Sequence, residues 1–339
     1  VLEERTPTYV GGPWFEDLRP GQVFDDAPGL TVTAAHAAVH QAVAGDRLRL
    51  ALDAPLCREV TGRDTPLVHP NLVCDVAIGQ STGVSQRVRA NLFYRGLVLK
   101  RPVFVGETLR SRTEIVGLRQ NRRRAGVPAT GLVALRITTT DAHGEPVLDF
   151  WRCPMIPLRD PEIDTGHRDD FASIPTELDD GQVRAAVPGG WRLEHLRARV
   201  PGPHHADLAR GQVFVVEAAE TVTAAPELAR LTLNVAQAHT DATGSAYDRR
   251  LVYGGHTIAI AAAHATRAVP ALATIVAWQA CDHLGPVFEG DVLRTELRVE
   301  ATEPDGLAHL RALVGVVREH AVRERTEPVL DWRFVAVVA

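Results

Sequence analysis

Histidine is the side chain whose ordinary pKa lies closest to neutrality, so it is the first place to look for proton transfer. The chain has 14 histidines among 339 residues. Two strings hold a histidine beside other groups able to do chemistry. The first, Leu233-Asn234-Val235-Ala236-Gln237-Ala238-His239, contains an amide and an imidazole and is followed by Asp241. The second, Arg249-Arg250-Leu251-Val252-Tyr253-Gly254-Gly255-His256, contains two guanidinium groups, a phenol, paired glycines and an imidazole. Arginine can grip a carboxylate or phosphate in bidentate fashion. Arg119 with Arg122-Arg123-Arg124 makes a denser positive group, although such a run also suits a solvated hairpin loop. Asp282-His283 reads as a loop ahead of a strand. No Gly-rich phosphate loop, nucleophile elbow or zinc spacing occurs. Cys57, Cys74, Cys153 and Cys281 are far apart in apolar contexts and read as buried thiols. The expectation is proton transfer and anion binding with no metal and no redox cofactor.

The elements that must position these groups are organised by an internal repeat. Gly21-Gln22-Val23-Phe24 recurs as Gly211-Gln212-Val213-Phe214, and Thr31-Val32-Thr33-Ala34-Ala35 as Thr221-Val222-Thr223-Ala224-Ala225. Pro102-Val103-Phe104 with Gly106-Glu107-Thr108-Leu109-Arg110 recurs as Pro286-Val287-Phe288 with Gly290-Asp291-Val292-Leu293-Arg294. Glu145-Pro146-Val147-Leu148-Asp149 recurs as Glu327-Pro328-Val329-Leu330-Asp331. The matches keep their order with slowly drifting spacing, as expected of a duplicated domain. The reading is an N-terminal domain over 1–158, a linker over 159–187 rich in Asp, Glu, Pro and Gly, and a C-terminal domain over 188–339.

Within each copy one apolar helix precedes a run of strands. The helices are expected near Leu72–Thr82 and Thr257–Ala268; the second is apolar nearly all round and rich in small side chains, which suits burial inside a curved sheet. Alternation and β-branching predict strands over Leu132–Thr140, Val147–Leu158, Leu293–Glu300, Leu310–Arg318 and Val329–Val338. The class is therefore α+β, an antiparallel sheet covering one helix, twice.

Composition excludes several functions. The chain is 45% hydrophobic and 23% charged, with a net charge of −5. That balance belongs to a folded globular protein and argues against nucleic acid as partner. No apolar run reaches membrane-span length, and Val1–Arg5 lacks the order of a signal peptide, so no membrane partner and a cytoplasmic location are expected. Lys100 is the sole lysine, so nearly all positive charge is arginine.

Trp14-Phe15-Glu16-Asp17-Leu18-Arg19-Pro20-Gly21 resembles the opening of MaoC-like dehydratase domains. Ala90-Asn91-Leu92-Phe93-Tyr94, the Pro102-Val103 and Gly106-Glu107-Thr108-Leu109 segments and the Arg249–His256 string resemble the mesaconyl-CoA hydratase branch, also called β-methylmalyl-CoA dehydratase. The resemblance covers almost the whole chain and implies a double hotdog fold. The wider (R)-specific enoyl-CoA hydratase family carries a Gly-Asp-x-Asn-Pro-Leu-His signature with catalytic Asp and His. Here it is split. Gly45-Asp46 keeps the aspartate, but Ala51 stands at the histidine position; His239 keeps the histidine, but Asn234 stands at the aspartate position. The glycine that opens the helix in this superfamily, and offers its N–H to the thioester oxygen, is retained in Gly254-Gly255. Pro70, which has no N–H, occupies that place in the first copy.

The resemblance implies one active site, in the C-terminal half, with the N-terminal half as scaffold and binding wall. His239 is the expected base, Asn234 the group that holds water or substrate, Gly255 the oxyanion donor, and Asp241 an orienting or proton-donating group. Tyr253, Gly254 and His256 flank the substrate, Arg250 or Arg249 would meet a free acyl carboxylate, and Arg122, Arg123 and Arg124 the phosphates of coenzyme A. Asp46 without its histidine reads as a relic or a structural hydrogen-bonding residue. The expected activity is that of a hydro-lyase reversibly hydrating a branched or dicarboxylic 2-enoyl-CoA, most like mesaconyl-CoA to β-methylmalyl-CoA. A hotdog acyl-CoA thioesterase and a non-catalytic acyl-CoA-binding protein are the alternatives. The duplication supplies internally the pairing that single hotdog proteins obtain by dimerising, so a monomer or a homodimer of such units is expected.

Overall fold

The computed structural model describes residues 7–319 and 325–339. The strands are β1 (Val23–Phe24), β2 (Leu30–Thr31), β3 (Ala90–Leu99), β4 (Thr108–Gln120), β5 (Thr130–Thr140), β6 (Pro146–Pro157), β7 (Val213–Val215), β8 (Glu220–Thr221), β9 (Leu272–His283), β10 (Val292–Thr302), β11 (Leu307–Glu319) and β12 (Arg325–Val338). They form one antiparallel sheet in the order β1-β4-β5-β6-β3-β9-β12-β11-β10-β7, with β2 beside β4 and β8 beside β10. The two halves of that order mirror the sequence repeat. They meet where β3 pairs with β9, setting Tyr94 opposite Cys281 and Leu97 opposite Trp278.

Each half wraps its strands around one helix, the α+β double hotdog arrangement that the sequence implies. The N-terminal core helix is Pro70–Gln80 and is buried along its whole length. It starts two residues before the expected Leu72 because Pro70 is preset for the first helical position. It stops at Ser81 and Thr82, whose hydroxyls donate to the carbonyls of Ile78 and Gly79, both at 2.6 Å. The C-terminal core helix is Gly254–Ala268. Its alanines let it pack on all sides inside the sheet. It begins three residues before the expected Thr257, because Gly254 and Gly255, poor helix formers in isolation, are used where the backbone must approach other groups closely.

Four of the expected strands lie within β5, β10, β11 and β12, each longer than expected, while the expected Val147–Leu158 strand is observed as β6, which stops one residue short of Leu158. The 159–187 stretch, expected as an exposed linker, is tied down in part. Leu118 N–H donates to Asp169 Oδ2 at 2.7 Å, and helix Asp180–Ala186 buries Val183 and Ala186. All four cysteines are buried free thiols. Among the described residues no helix is long and apolar enough to cross a membrane.

Candidate active site

A cavity of about 280 Å³ lies at the seam of the two halves, between the start of the C-terminal core helix, the 234–239 loop, β3 and the end of β9. His239 lines it from a 3₁₀ turn, Gln237–His239. The loop leading there is held by the N-terminal half. Val235 N–H donates to Thr82 Oγ1 at 3.0 Å, and Gln237 N–H donates to Gln86 O at 2.9 Å. Thr232 crosses Gly79 of the N-terminal core helix so closely that a Cβ there would lie 1.7 Å from the Thr232 carbonyl oxygen. Leu233 turns the chain with a left-handed φ of 61°, a conformation uncommon for a non-glycine residue and a sign that surrounding contacts dictate the path.

Asn234 is buried, lines the cavity, and accepts the Ala236 N–H on Oδ1 at 3.0 Å. That bond fixes the amide and leaves Nδ2 as its free donor. His239 Nδ1 lies 2.9 Å from the Leu251 carbonyl oxygen. Because the carbonyl only accepts, Nδ1 carries the proton and Nε2 keeps a lone pair without a protein partner. Burial lowers the His239 pKa, the Leu251 carbonyl opposes that shift, and the Arg152 charge adds to it. The ring is therefore a neutral base at neutral pH.

Tyr253 stands at the N-cap of the C-terminal core helix but does not cap it. Its hydroxyl instead donates to Asp75 Oδ1 of the other core helix at 2.9 Å. First-turn amides have no intrahelical acceptor, and the helix dipole makes that end favourable for negative charge. Gly254 lines the cavity, and a Cβ on it would lie 2.4 Å from the His283 ring. Gly255 sits behind it, where a Cβ would lie 2.1 Å from Asp75 Oδ1. Of the two glycines, Gly254 lines the cavity and the expected Gly255 does not.

Several expected residues lie elsewhere. Asp241 is exposed and bonded to Thr243, whose N–H and hydroxyl donate to its carboxylate at 2.9 and 2.8 Å; this local turn satisfies the carboxylate outside the cavity. Arg250 is ion-paired with Glu289 at the surface, and Arg249 lies 3.4 Å over the Phe288 ring centroid. Neither guanidinium lines the cavity. His256 is fully buried, is held neutral by a pKa lowered to about 4 through burial, and does not line the cavity. Arg122, Arg123 and Arg124 are exposed in the loop after β4, with Arg123 paired to Glu162 at 2.8 Å.

Three cavity residues escaped sequence reasoning as site groups. His283, read as part of a loop, is the last residue of β9 and lines the cavity, its pKa lowered to about 4 by burial. Its neighbour Asp282 turns away to Arg95, at 2.5 Å. Tyr94 packs edge-on to His283, with ring centroids 5.9 Å apart. Its presence in the Ala90–Tyr94 string was the one available signal. Arg152 on β6 also lines the cavity, and nothing local in the sequence marks it. No Asp or Glu lines the cavity among the described residues.

The matching place in the N-terminal half is closed. His69 caps its helix, Nδ1 accepting the Asn71 N–H at 3.1 Å, while Pro70 removes the first donor. His69 Nε2 lies 3.2 Å from Asp46 Oδ1, and Asp46 also accepts the Leu48 N–H at 2.8 Å. Asp46 is thus occupied structurally. The recess beside Pro70 measures about 10 Å³, too small for an acyl group.

A double hotdog with one open helix end over a histidine-bearing cavity defines a protein of the MaoC-like hydratase and dehydratase class. The chain belongs to the mesaconyl-CoA hydratase family, whose sequence model matches residues 1–338. It is 30% identical over 333 residues to the mesaconyl-CoA hydratase of Cereibacter sphaeroides, covering 94% of this chain and 91% of that one. A conserved hypothetical protein from Mycobacterium tuberculosis, described as having a double hotdog fold, superposes with a TM-score of 0.89 at 50% identity, covering 97% and 99% of the two chains. A putative MaoC domain dehydratase from Chloroflexus aurantiacus shares the fold with a TM-score of 0.80 at 22% identity, covering 98% and 99%.

Proposed function

We propose that this chain reversibly adds water to a branched or dicarboxylic 2-enoyl-CoA, with mesaconyl-CoA to β-methylmalyl-CoA the best-supported reaction. The observation that carries the reading is His239, whose tautomer leaves Nε2 as the acceptor at a cavity roofed by an uncapped helix end. The thioester oxygen lies against the first-turn amides at Gly254. His239 Nε2 takes a proton as water oxygen bonds to the β carbon, and the π electrons move to an enolate on the thioester oxygen. A preorganised donor there is worth roughly 2.7–4 kcal/mol, and the base roughly 10²–10⁴-fold. With no carboxylate among the described residues lining the cavity, the imidazolium at His239 is the source of the proton that closes the α carbon. Asn234 Nδ2 donates to water or substrate.

In this reading 188–339 performs the chemistry, 1–158 supplies wall and loop anchors, and 159–187 connects them. Incubation with mesaconyl-CoA and crotonyl-CoA, following enoyl absorbance and free thiol, tests it. Hydration removes absorbance without releasing thiol. Thiol release identifies a thioesterase, and no change identifies a silent binder; either result overturns the proposal.

A further inference from the structure

Arg152 is 3% exposed and lines the cavity, yet no carboxylate of the described residues pairs with it. Its Nη2 donates to Ser81 O and to Ser85 Oγ, both at 2.8 Å. Its Nε is buried without an acceptor. Arginine does not shed its proton, so a permanent charge is held in a buried place by neutral groups alone. A buried charge without a counter-charge is costly, and apolar residues of similar volume usually serve packing as well or better.

The repeat gives the direct comparison. Arg152 stands three residues after Asp149, and Phe334 stands three residues after the matching Asp331. Phe334 is buried and stacked on Trp332, with ring centroids 4.0 Å apart. The fold therefore accepts an aromatic at this position, and packing does not explain the arginine. Arg89, with a second unpartnered Nε, lines the same cavity.

Resting on the reading of this cavity as an acyl-CoA site, we propose that Arg152 is the specificity-determining residue that receives a free carboxylate on the acyl group. Ser81 and Ser85 fix Nη2 from behind, Nε is enclosed, and Nη1 is left for the ligand. The site then prefers dicarboxylic over monocarboxylic acyl thioesters. The same charge depresses the proton affinity of His239, so a bound carboxylate that cancels it also strengthens the base.

Calorimetric titration of the full chain with succinyl-CoA and butyryl-CoA, saturated thioesters that cannot be hydrated, tests this without turnover. The wild type is expected to bind succinyl-CoA at least about tenfold more tightly, in line with a charge-assisted contact. Arg152→Met is expected to abolish that preference by weakening succinyl-CoA at least about tenfold more than butyryl-CoA, and Arg152→Lys to retain part of it. Equal affinities in the wild type, a preference that survives Arg152→Met, or an equal loss for both ligands (the result if the charge met coenzyme A phosphates instead) overturns the proposal. The wild-type comparison stands even if a variant fails to fold. Preference without hydration activity would overturn only the proposed reaction; no binding of either thioester would overturn both.

Discussion

The two core helices start from duplicated sequence and end with opposite uses of their N-termini. At Pro70 the helix opening is shut: its first donor is missing, His69 folds back as the cap, and Asp46 engages the other ring nitrogen. At Gly254 the opening is left bare, because Tyr253 spends its hydroxyl on Asp75 rather than on capping. An uncapped helix end has amides to offer a ligand; a capped one has spent them on stability. The closed half is nevertheless not idle. Gly79, Thr82 and Gln86 hold the loop that carries Asn234 and His239, and β3 and β6 bring Tyr94 and Arg152 to the cavity. Duplication here has left one helix end capped and the other open.

The sharpest way to break this contrast is to remove the histidine of the open half. His239→Ala is expected to lower kcat/KM for hydration by roughly 10²–10⁴-fold, the usual worth of a general base. The wild-type acid limb of kcat/KM should lie below 6.5, because burial lowers the histidine pKa and activity falls only once the ring protonates. An acid limb above that value, or activity surviving the substitution, removes His239 from the role.

Gly79→Ala tests the anchoring half. A methyl group there meets the Thr232 carbonyl, so overpacking of about 1–3 kcal/mol and a lower Tm are expected, with kcat falling as the His239 loop shifts. Gly83→Ala, which meets nothing within 4 Å, is the control and should change neither. Equal effects from the two would show that the loop does not depend on this crossing.

Asp75 joins the halves, and its pH response is specific. Burial raises its pKa from 3.8 to about 7. Between those values the unfolded chain has released this proton and the folded chain retains it, so its contribution to stability falls as pH rises. Asp75→Asn keeps an acceptor for the Tyr253 hydroxyl but does not titrate. Its Tm relative to wild type should therefore climb from pH 4 to about 7 and level off above. Parallel melting curves across that range would show that Asp75 is not held neutral.

The smallest effect is expected at the closed end. Asp46→Asn should leave kcat/KM essentially unchanged while modestly lowering Tm through loss of the His69 pairing. A steady-state rate that collapses would place chemistry in the wrong half.

Much of this was legible in the residues themselves. Repeated strings marked two copies, small apolar residues marked the buried helix, and proline against glycine marked which helix end had a donor to offer. The displaced expectations share a cause. Asp241, Arg249 and Arg250 are close in sequence to the cavity residues, yet they are exposed and found partners there first, at Thr243, Phe288 and Glu289. Gly255 and His256 fell behind Gly254 because successive helical residues face different ways. Linear proximity does not say which way a side chain points.

By itself the sequence determined the duplication, the α+β class and the histidine at the better-preserved end, because these follow from local pattern and residue type. Only the tertiary structure decided that Arg152 is buried without a carboxylate partner among the described residues, and that Tyr94 and His283 share one cavity with it. Those groups lie on β6, β3 and β9, and it is the pairing of β3 with β9 across the seam that brings them together. A charge becomes available to a ligand only through the counter-charges that folding withholds from it.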